Sequence, residues 1–186
     1  MNDDVLRKRR ALLLAGRPPS RGSFAIVRNC GGCTACCEGW LVSDVMAMQP
    51  GKPCRNKRAE GCAIYDTRPE KPCRTFSCAW LLDDVSYPES MRPDLSKVIL
   101  SDVGEWEGWR VISATPVGDQ IPEQMLAVLR DFSLSRQLAL LYYSLDRLGE
   151  QFSGRGQQHA YGPPEFTKAL ADSSNDASFW QMGHAL

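Results

Sequence analysis

All eight cysteines of this chain lie between positions 30 and 78, and the rest of its 186 residues contain none. They are Cys30, Cys33, Cys36, Cys37, Cys54, Cys62, Cys73 and Cys78. Structural thiols that merely fill a core would be scattered along the sequence, so this density indicates that the cysteines act together. The segment that contains them is predicted to be a module with its own chemistry.

The N-terminal sequence bears on which cysteine chemistry to expect. It reads MNDDVLRKRRALLLAG, and its apolar stretch over 11–15 is shorter than the roughly 7–15 residues of a signal-peptide core. Pro18 and Pro19 follow where a small-residue cleavage site would be needed. We therefore expect a cytoplasmic protein. Thiols stay reduced there, so metal binding is favoured over a disulfide scaffold.

The first cysteine cluster spans 30–37 and has the pattern C-x2-C-x2-C-C. A C-x2-C spacing lets two thiolates converge on one ion, and Gly31 and Gly32 suit the tight turn between them. The first three cysteines also match the start of a bacterial ferredoxin run, whose fourth cysteine would fall at Trp40. Cys36 and Cys37 are adjacent, so they either serve different metals or only one of them binds. The sequence leaves both interpretations open.

The second cluster, Cys54, Cys62, Cys73 and Cys78, is spaced loosely for a zinc finger. Prolines at 50, 53, 69 and 72 and glycines at 51 and 61 favour turns over long helices. The spacing predicts a loop-rich module in which distant segments meet at a metal.

Basic residues are in excess around the second cluster. Between positions 52 and 74 there are seven basic residues and three acidic ones. Four thiolates on one Zn²⁺ carry a net charge of −2, which nearby cations would offset, and this interpretation is favoured over a nucleic-acid patch. The aromatic residues Tyr65 and Phe76 are too scattered for a base-stacking platform. Over the whole chain 22 basic residues balance 22 acidic ones, which also argues against a general nucleic-acid binder.

Three strings of the cysteine-rich segment carry a family resemblance. They are C-x2-C-x2-C-C at 30–37, Gly61-Cys62-x-Ile64-Tyr65-x-x-Arg68-Pro69, and Cys73-Arg74-x-Phe76-x-Cys78. Together they resemble the bacterial YkgJ-type cysteine-cluster family, described as a zinc- or iron-chelating CxxCxxCC domain. The resemblance covers residues 26–82 and implies that all eight cysteines are metal ligands.

The resemblance has one departure and one consequence. Three residues, 70–72, separate Pro69 from Cys73, slightly more than in the shortest family pattern. A similar cluster is associated with flagellin lysine methylases, which keeps an enzymatic role open by analogy only. The resemblance therefore implies a metal and leaves the reaction, if there is one, unassigned.

The second half of the chain shows ordinary secondary-structure patterns. Residues 96–101 and 108–114 predict a β-hairpin, a helical pattern begins at Ile121-Pro122, and 136–144 predicts a further strand. The tryptophans Trp80, Trp106 and Trp109 are expected in the core. His159 and His184 are not expected to be ligands, and Asp83 and Asp84 are interpreted as a turn cap.

These patterns predict an α+β protein in which a loop-rich metal module packs on a small antiparallel sheet with one or two helices. We expect a basic N-terminal helix or extension over 1–24, the metal-binding module over 25–84, a small α+β part over 85–168, and a mobile tail over 169–186. The basic run 7–10 is interpreted as a solvated helix face.

Three functions remain open on the sequence alone. A zinc module with a structural or regulatory role, which could present a surface to a protein partner, ranks first. An iron–sulfur redox or catalytic protein, using Cys30, Cys33, Cys36 and one later cysteine, ranks second. A mononuclear iron enzyme, which would need a ligand other than cysteine, ranks last. No apolar run approaches the roughly 20 residues that span a bilayer, so no membrane role is expected.

Overall fold

The computed structural model describes residues 26–41, 43–83, 87–149 and 151–173. The predicted N-terminal extension lies outside these residues, and so does the larger part of the predicted tail. Within the described part, no helix is both long enough and apolar enough to cross a membrane.

The cysteine-rich segment folds into short turns. A 3-10 turn covers Ala35–Glu38, a small antiparallel hairpin pairs β1 (Lys57–Arg58) with β2 (Gly61–Cys62), a turn that is kinked at Lys71 covers Glu70–Arg74, and α1 covers Ala79–Leu82. The longest of these elements has five residues. This irregular backbone agrees with the positions of the prolines and glycines, which interrupt longer elements.

The rest of the described chain forms a sheet and its helices. A 3-10 turn at Glu89–Met91 leads into α2 (Pro93–Ser96), β3 (Val98–Trp106) and β4 (Trp109–Pro116). Helix α3 (Glu123–Arg136), β5 (Ala139–Leu148), β6 (Gln151–Tyr161) and α4 (Pro164–Ser173) follow. Helix α4 therefore extends into the segment expected to be a tail.

The four strands lie in the order β3-β4-β5-β6. The β3–β4 and β5–β6 pairs are antiparallel, whereas β4 and β5 are parallel, with Ile112 opposite Leu140. Parallel neighbours need a crossover connection, and α3 supplies it between β4 and β5. The α+β class is confirmed. The larger sheet is mixed, and the two-stranded β1–β2 sheet is antiparallel throughout.

Both faces of the larger sheet are covered, and neighbouring residues of one strand serve opposite faces. Leu140 belongs to the core shared with α3 and the cysteine-rich segment, whereas Leu141 belongs to the core under α4. Burial on both faces explains why the sequence over 138–141 is continuously apolar and shows no period of two. The main core also contains Trp80, and the core under α4 contains Trp106, with Trp109 packed against it.

The sequence predicts part of this half correctly. The hairpin, the long helix and the strand at β5 are confirmed. Strand β6 was not predicted, because the sequence QFSGRGQQHAY lacks apolar alternation. Its backbone pairs with β5 along its length, so pairing with a strong neighbour replaces the missing local signal.

Gly39 fixes the path of the chain after the 3-10 turn. It follows Glu38 in the left-handed region, with a φ of +86°, and it is buried. A Cβ atom at this position would overlap the backbone carbonyl oxygens of Gln49 and Lys52. The turn that carries Cys36 and Cys37 is therefore pressed directly against the loop that leads to Cys54.

Replacing Gly39 by alanine should destabilise the protein more than the same change at Gly108. Gly108 has nearly the same φ, +83°, but open space where a Cβ would lie. Gly108→Ala should lower the free energy of unfolding by about 1–2 kcal/mol through backbone strain alone. Gly39→Ala should lower it by about a further 1–3 kcal/mol through steric overlap. Urea unfolding of both variants measures the difference, and equal losses would contradict the close contact.

Candidate metal centre

The eight thiols fall into two groups of four. We call Cys30, Cys33, Cys36 and Cys78 the inner group, and Cys37, Cys54, Cys62 and Cys73 the outer group. Burial raises the pKa of Cys36 well above its usual value, and the thiols of Cys78 and Cys33 add to the rise. Burial likewise raises the pKa of Cys37, with the largest thiol contributions from Cys62 and Cys54. The pKa values of Cys36 and Cys37 are therefore each raised most strongly, among the thiols, by members of their own group.

Apolar packing gives the same division for seven of the eight thiols, all except Cys62. Cys78 belongs to the main core, and Cys30, Cys33 and Cys36 pack against it. Cys54 instead belongs to a separate small cluster with Met46 and Met48, against which Cys37 and Cys73 pack. The inner group thus lies against the sheet, and the outer group lies among the loops of the cysteine-rich segment.

The adjacent residues Cys36 and Cys37 belong to different groups because they lie in the 3-10 turn Ala35–Glu38. Successive side chains of a 3-10 turn point about 120° apart, which directs the two neighbouring thiols to different sides of the turn. The Cys54 amide donates a hydrogen bond to the Cys37 carbonyl, at 2.8 Å, and this bond joins the loop that carries Cys54 to the turn. The side chains of Cys36 and Cys37 therefore lie in different groups, while whether both of them bind a metal stays a prediction.

Four of the cysteines open a reverse turn. The carbonyl oxygens of Cys30, Cys54, Cys62 and Cys78 each accept a hydrogen bond from the amide three residues later, at 2.9, 3.0, 3.3 and 3.0 Å. Gly31, with a φ of +52°, allows the first of these turns. Each group contains two such turns, and turns of this kind direct backbone amides toward a thiolate.

Backbone amides do point at several sulfurs. The Asn56 amide donates to the Cys54 Sγ at 3.4 Å. The amides of Ala35 and Asp94 donate to the sulfur of Cys33 and oppose the rise in its pKa that burial causes. Hydrogen bonds to a sulfur favour its charged form, so this backbone is suited to hold thiolates.

One carboxylate lies beside the inner group, and no pattern in the sequence indicated it. Asp94, in α2, accepts hydrogen bonds from Arg92 Nε and Nη2 at 2.6 and 3.0 Å. This interaction is the main cause of the lowered pKa of Asp94, and a hydrogen bond from the Cys33 thiol contributes to it. Asp94 is thus both an acceptor for a thiol and, through its amide, a donor to the same sulfur.

The thiols are free and do not close on a common point. All eight cysteines are unpaired. Among the described residues, no three cysteine, histidine, aspartate or glutamate side chains lie close enough together to hold a metal ion as they stand. The two groups are therefore gathered sets of donors, each of which would need to contract around an ion.

The other residues considered from the sequence lie elsewhere. His159, in β6, shares a 3.0 Å hydrogen bond with Ser144 and stacks on Tyr142 within the sheet. Asp83 follows α1, and its amide donates to the carbonyl of Ala79 at 3.2 Å. His184 and Asp84 lie outside the described residues.

Comparison of the chain with protein-family models, with curated proteins and with solved structures finds no match. The interpretation of the site therefore rests on its own residues and their geometry.

The metal-free, reduced protein should lose stability as the pH rises from about 9 to about 11. Burial is the main cause that raises the pKa of Cys37 and of Cys78 to about 11, above the ordinary value of 9.0. The folded state holds these protons more tightly than the unfolded chain, so their loss at alkaline pH favours unfolding.

Urea unfolding with a reductant at pH 8 and at pH 10.5 measures this effect. Stability that stays constant or rises over this interval would show that the thiols are less buried than the structure places them. Protein loaded with metal provides the comparison, because thiolates bound to an ion have no proton left to lose.

Proposed function

We propose that this chain is a metal-binding protein with two sites, one formed by the inner group and one by the outer group. The observation that carries the proposal is the division of eight thiols into two sets of four. Four thiolates are a complete ligand set for a tetrahedral ion, and neither set needs a donor from outside the cysteine-rich segment.

Zinc is the first candidate ion for both sites. Thiolates are soft ligands, and a set of four cysteines is typical of structural zinc. The amides directed at Cys33 and Cys54 support this assignment, because they would offset part of the negative charge of a four-thiolate site. A site closed by four protein ligands keeps no open position for a substrate, which favours a structural or regulatory role over catalysis.

An iron–sulfur cluster is the second candidate, for the inner group alone. This group combines the C-x2-C-x2-C run, Cys30, Cys33 and Cys36, with the distant Cys78. Three closely spaced cysteines and one remote cysteine are the ligand arrangement of bacterial ferredoxin clusters. The fourth cysteine of the ferredoxin run, which is missing here at Trp40, ligates the other cluster of such proteins, so its absence does not prevent Cys78 from completing a cluster on the inner group. Such a protein would be brown and would contain acid-labile sulfide, whereas a zinc protein is colourless.

The role of the ions follows from the small size of the elements around them. The cysteine-rich segment contains no element longer than five residues in the described part, and the outer group has only a small apolar cluster of its own. Such a segment gains little from regular structure, so bound ions would supply part of its folding free energy. A structural role for bound ions agrees with the resemblance to the YkgJ-type family and with a cytoplasmic location. A regulatory role, in which the metal-bound segment contacts a protein partner, stays open.

The test of the division is the metal content of protein purified without oxygen, measured by elemental analysis. The wild-type chain should hold about two ions, and Cys36→Ser and Cys37→Ser should each hold about one. The informative variants are double. Adding Cys78→Ser to Cys36→Ser removes a second ligand of the same site and should leave one ion. Adding Cys62→Ser to Cys36→Ser instead removes one ligand from each site, and this double variant should hold no ion.

The two double variants control for each other, because each lacks two thiols. Circular dichroism verifies that the larger sheet is folded in both. The opposite result would overturn the division: one ion in the double variant with Cys36→Ser and Cys62→Ser, and none in the double variant with Cys36→Ser and Cys78→Ser. Wild-type protein that holds no metal after anaerobic purification and does not take up added Zn²⁺, Co²⁺ or iron would overturn the proposed function.

Removing the ions with a chelator should loosen the outer group first. Hydrogen exchange should increase more over 52–74 than over β3–β6, because the sheet is part of the large main core and the outer group has only a small apolar cluster. Mass spectrometry of exchanged peptides, with and without the chelator, measures the contrast. A uniform increase over both regions would instead indicate that the ions stabilise the whole chain as one cooperative unit.

A further inference from the structure

Phe152, the second residue of β6, contacts the cysteine-rich segment at two places. Its ring lies edge-on to the Trp40 ring, with the centroids 5.0 Å apart and the planes at 86°. The same ring lies against Gly51, where a Cβ atom would come within 2.6 Å of the Phe152 Cδ2. Trp40 packs against the main core, whereas Gly51 belongs to the loop that leads to Cys54. One side chain of the larger sheet therefore contacts both parts of the segment.

The larger sheet also holds the Phe152 ring. Phe152 lies opposite Arg147 in the pairing of β5 with β6. The guanidinium carbon of Arg147 lies 4.6 Å from the centroid of the ring, so a cation from the neighbouring strand covers an aromatic face. The ring is thus fixed by its own sheet as well as by the loop that it contacts.

The loop against Phe152 leads directly to the outer group. The Lys52 amide donates to the Gln49 carbonyl at 2.7 Å, which closes a turn around Gly51. Two residues after this turn, the Cys54 amide donates to the Cys37 carbonyl at 2.8 Å. A short, hydrogen-bonded stretch of chain therefore connects the glycine under the Phe152 ring to the cysteine that joins the outer group to its turn.

We propose that Phe152 is a positioning residue of the outer metal site, which holds the loop over 49–54 so that the Cys54 amide meets the Cys37 carbonyl. The inference rests on the proposed metal-binding function and deepens it, because it names a residue that sets the affinity of one site. The apolar cluster around Cys54 is small and gives the loop little support of its own. A contact from the sheet supplies the missing support.

Such a contact changes metal affinity without touching the ion. A loop that is ordered before the ion arrives binds it more tightly, because none of the binding free energy is used to order the loop. When the loop spends time in other arrangements, the apparent affinity falls in proportion to the fraction of molecules that are ready to bind. The inner group should not share this dependence, because its cysteines pack on the main core.

The first measurement is hydrogen exchange by NMR on the metal-free, reduced full chain. Phe152→Ala should speed exchange at the Lys52 and Cys54 amides by about 3- to 10-fold, the loss expected for one edge-to-face aromatic contact. Phe132→Ala is the matched control. Phe132 is likewise half-buried, but its ring contacts Tyr87, with the centroids 5.3 Å apart. This control should leave exchange at both amides unchanged.

The second measurement is a titration with Co²⁺ against a competing chelator, followed by the sulfur-to-cobalt absorption, in two cysteine backgrounds. Cys36→Ser with Cys78→Ser leaves only the outer site, and Cys37→Ser with Cys62→Ser leaves only the inner site. Phe152→Ala should weaken binding by about 3- to 10-fold in the first background and leave it unchanged in the second. Phe152→Leu keeps an apolar side chain against Gly51 and should recover part of the loss.

The outcomes separate this inference from the proposed function. Wild-type protein that binds no Co²⁺ contradicts the metal-binding proposal itself. Wild-type protein that binds two ions, with the outer site unaffected by Phe152→Ala, overturns the role of Phe152 alone. Equal weakening in both backgrounds, or the same weakening of the outer site by Phe132→Ala, would show a general loss of stability and would also overturn it. Circular dichroism of metal-free Phe152→Ala identifies a folding defect, and in that case Phe152→Leu decides by the same comparison.

Discussion

The geometry of one short turn determines how the cysteines can be used. In the 3-10 turn Ala35–Glu38 the side chains of Cys36 and Cys37 point in different directions, so one faces the sheet and the other faces the loops. An extended backbone at Cys36 and Cys37 would also separate the two thiols, but the residues after Cys37 would then follow a different path. Gly39 then turns the chain so closely against residues 49–52 that Cys54 is brought back to Cys37.

The two groups differ in what supports them. The inner group is packed on the main core, to which the sheet and α3 contribute many apolar residues besides those of the cysteine-rich segment. The outer group is surrounded by Met46, Met48 and Ile64, too few residues for an independent core. An ion in the inner group would therefore bind to a surface that is already folded. An ion in the outer group would be needed to complete the fold of its segment.

The sequence predicts the features that depend on residues close together in the chain. It does not predict the features that depend on contacts between distant residues. The set of cysteines, the turns around them, the hairpin and α3 all follow from spacing, glycine and proline positions, and apolar periodicity. The partition of the thiols does not, because it joins Cys78 to a turn more than forty residues earlier in the sequence, and no local pattern records that contact. Asp94 was missed for the same reason, since it meets Cys33 only through packing of α2.

The buried thiols place competing demands on the protein. Desolvation keeps Cys36, Cys37 and Cys78 protonated, which stabilises the metal-free fold but opposes the thiolates that an ion requires. Amide donors lower the pKa of Cys33 and Cys78, and the Arg68 guanidinium lowers the pKa of Cys30 and Cys73, so these groups act in the other direction. If the chain binds metal as proposed, loading would be a proton-for-metal exchange, in which a divalent cation replaces protons that burial would otherwise retain. Only an ion that binds thiolate strongly would offset the free-energy cost of removing those protons, so the proposed sites would favour soft metals over Mg²⁺ or Ca²⁺.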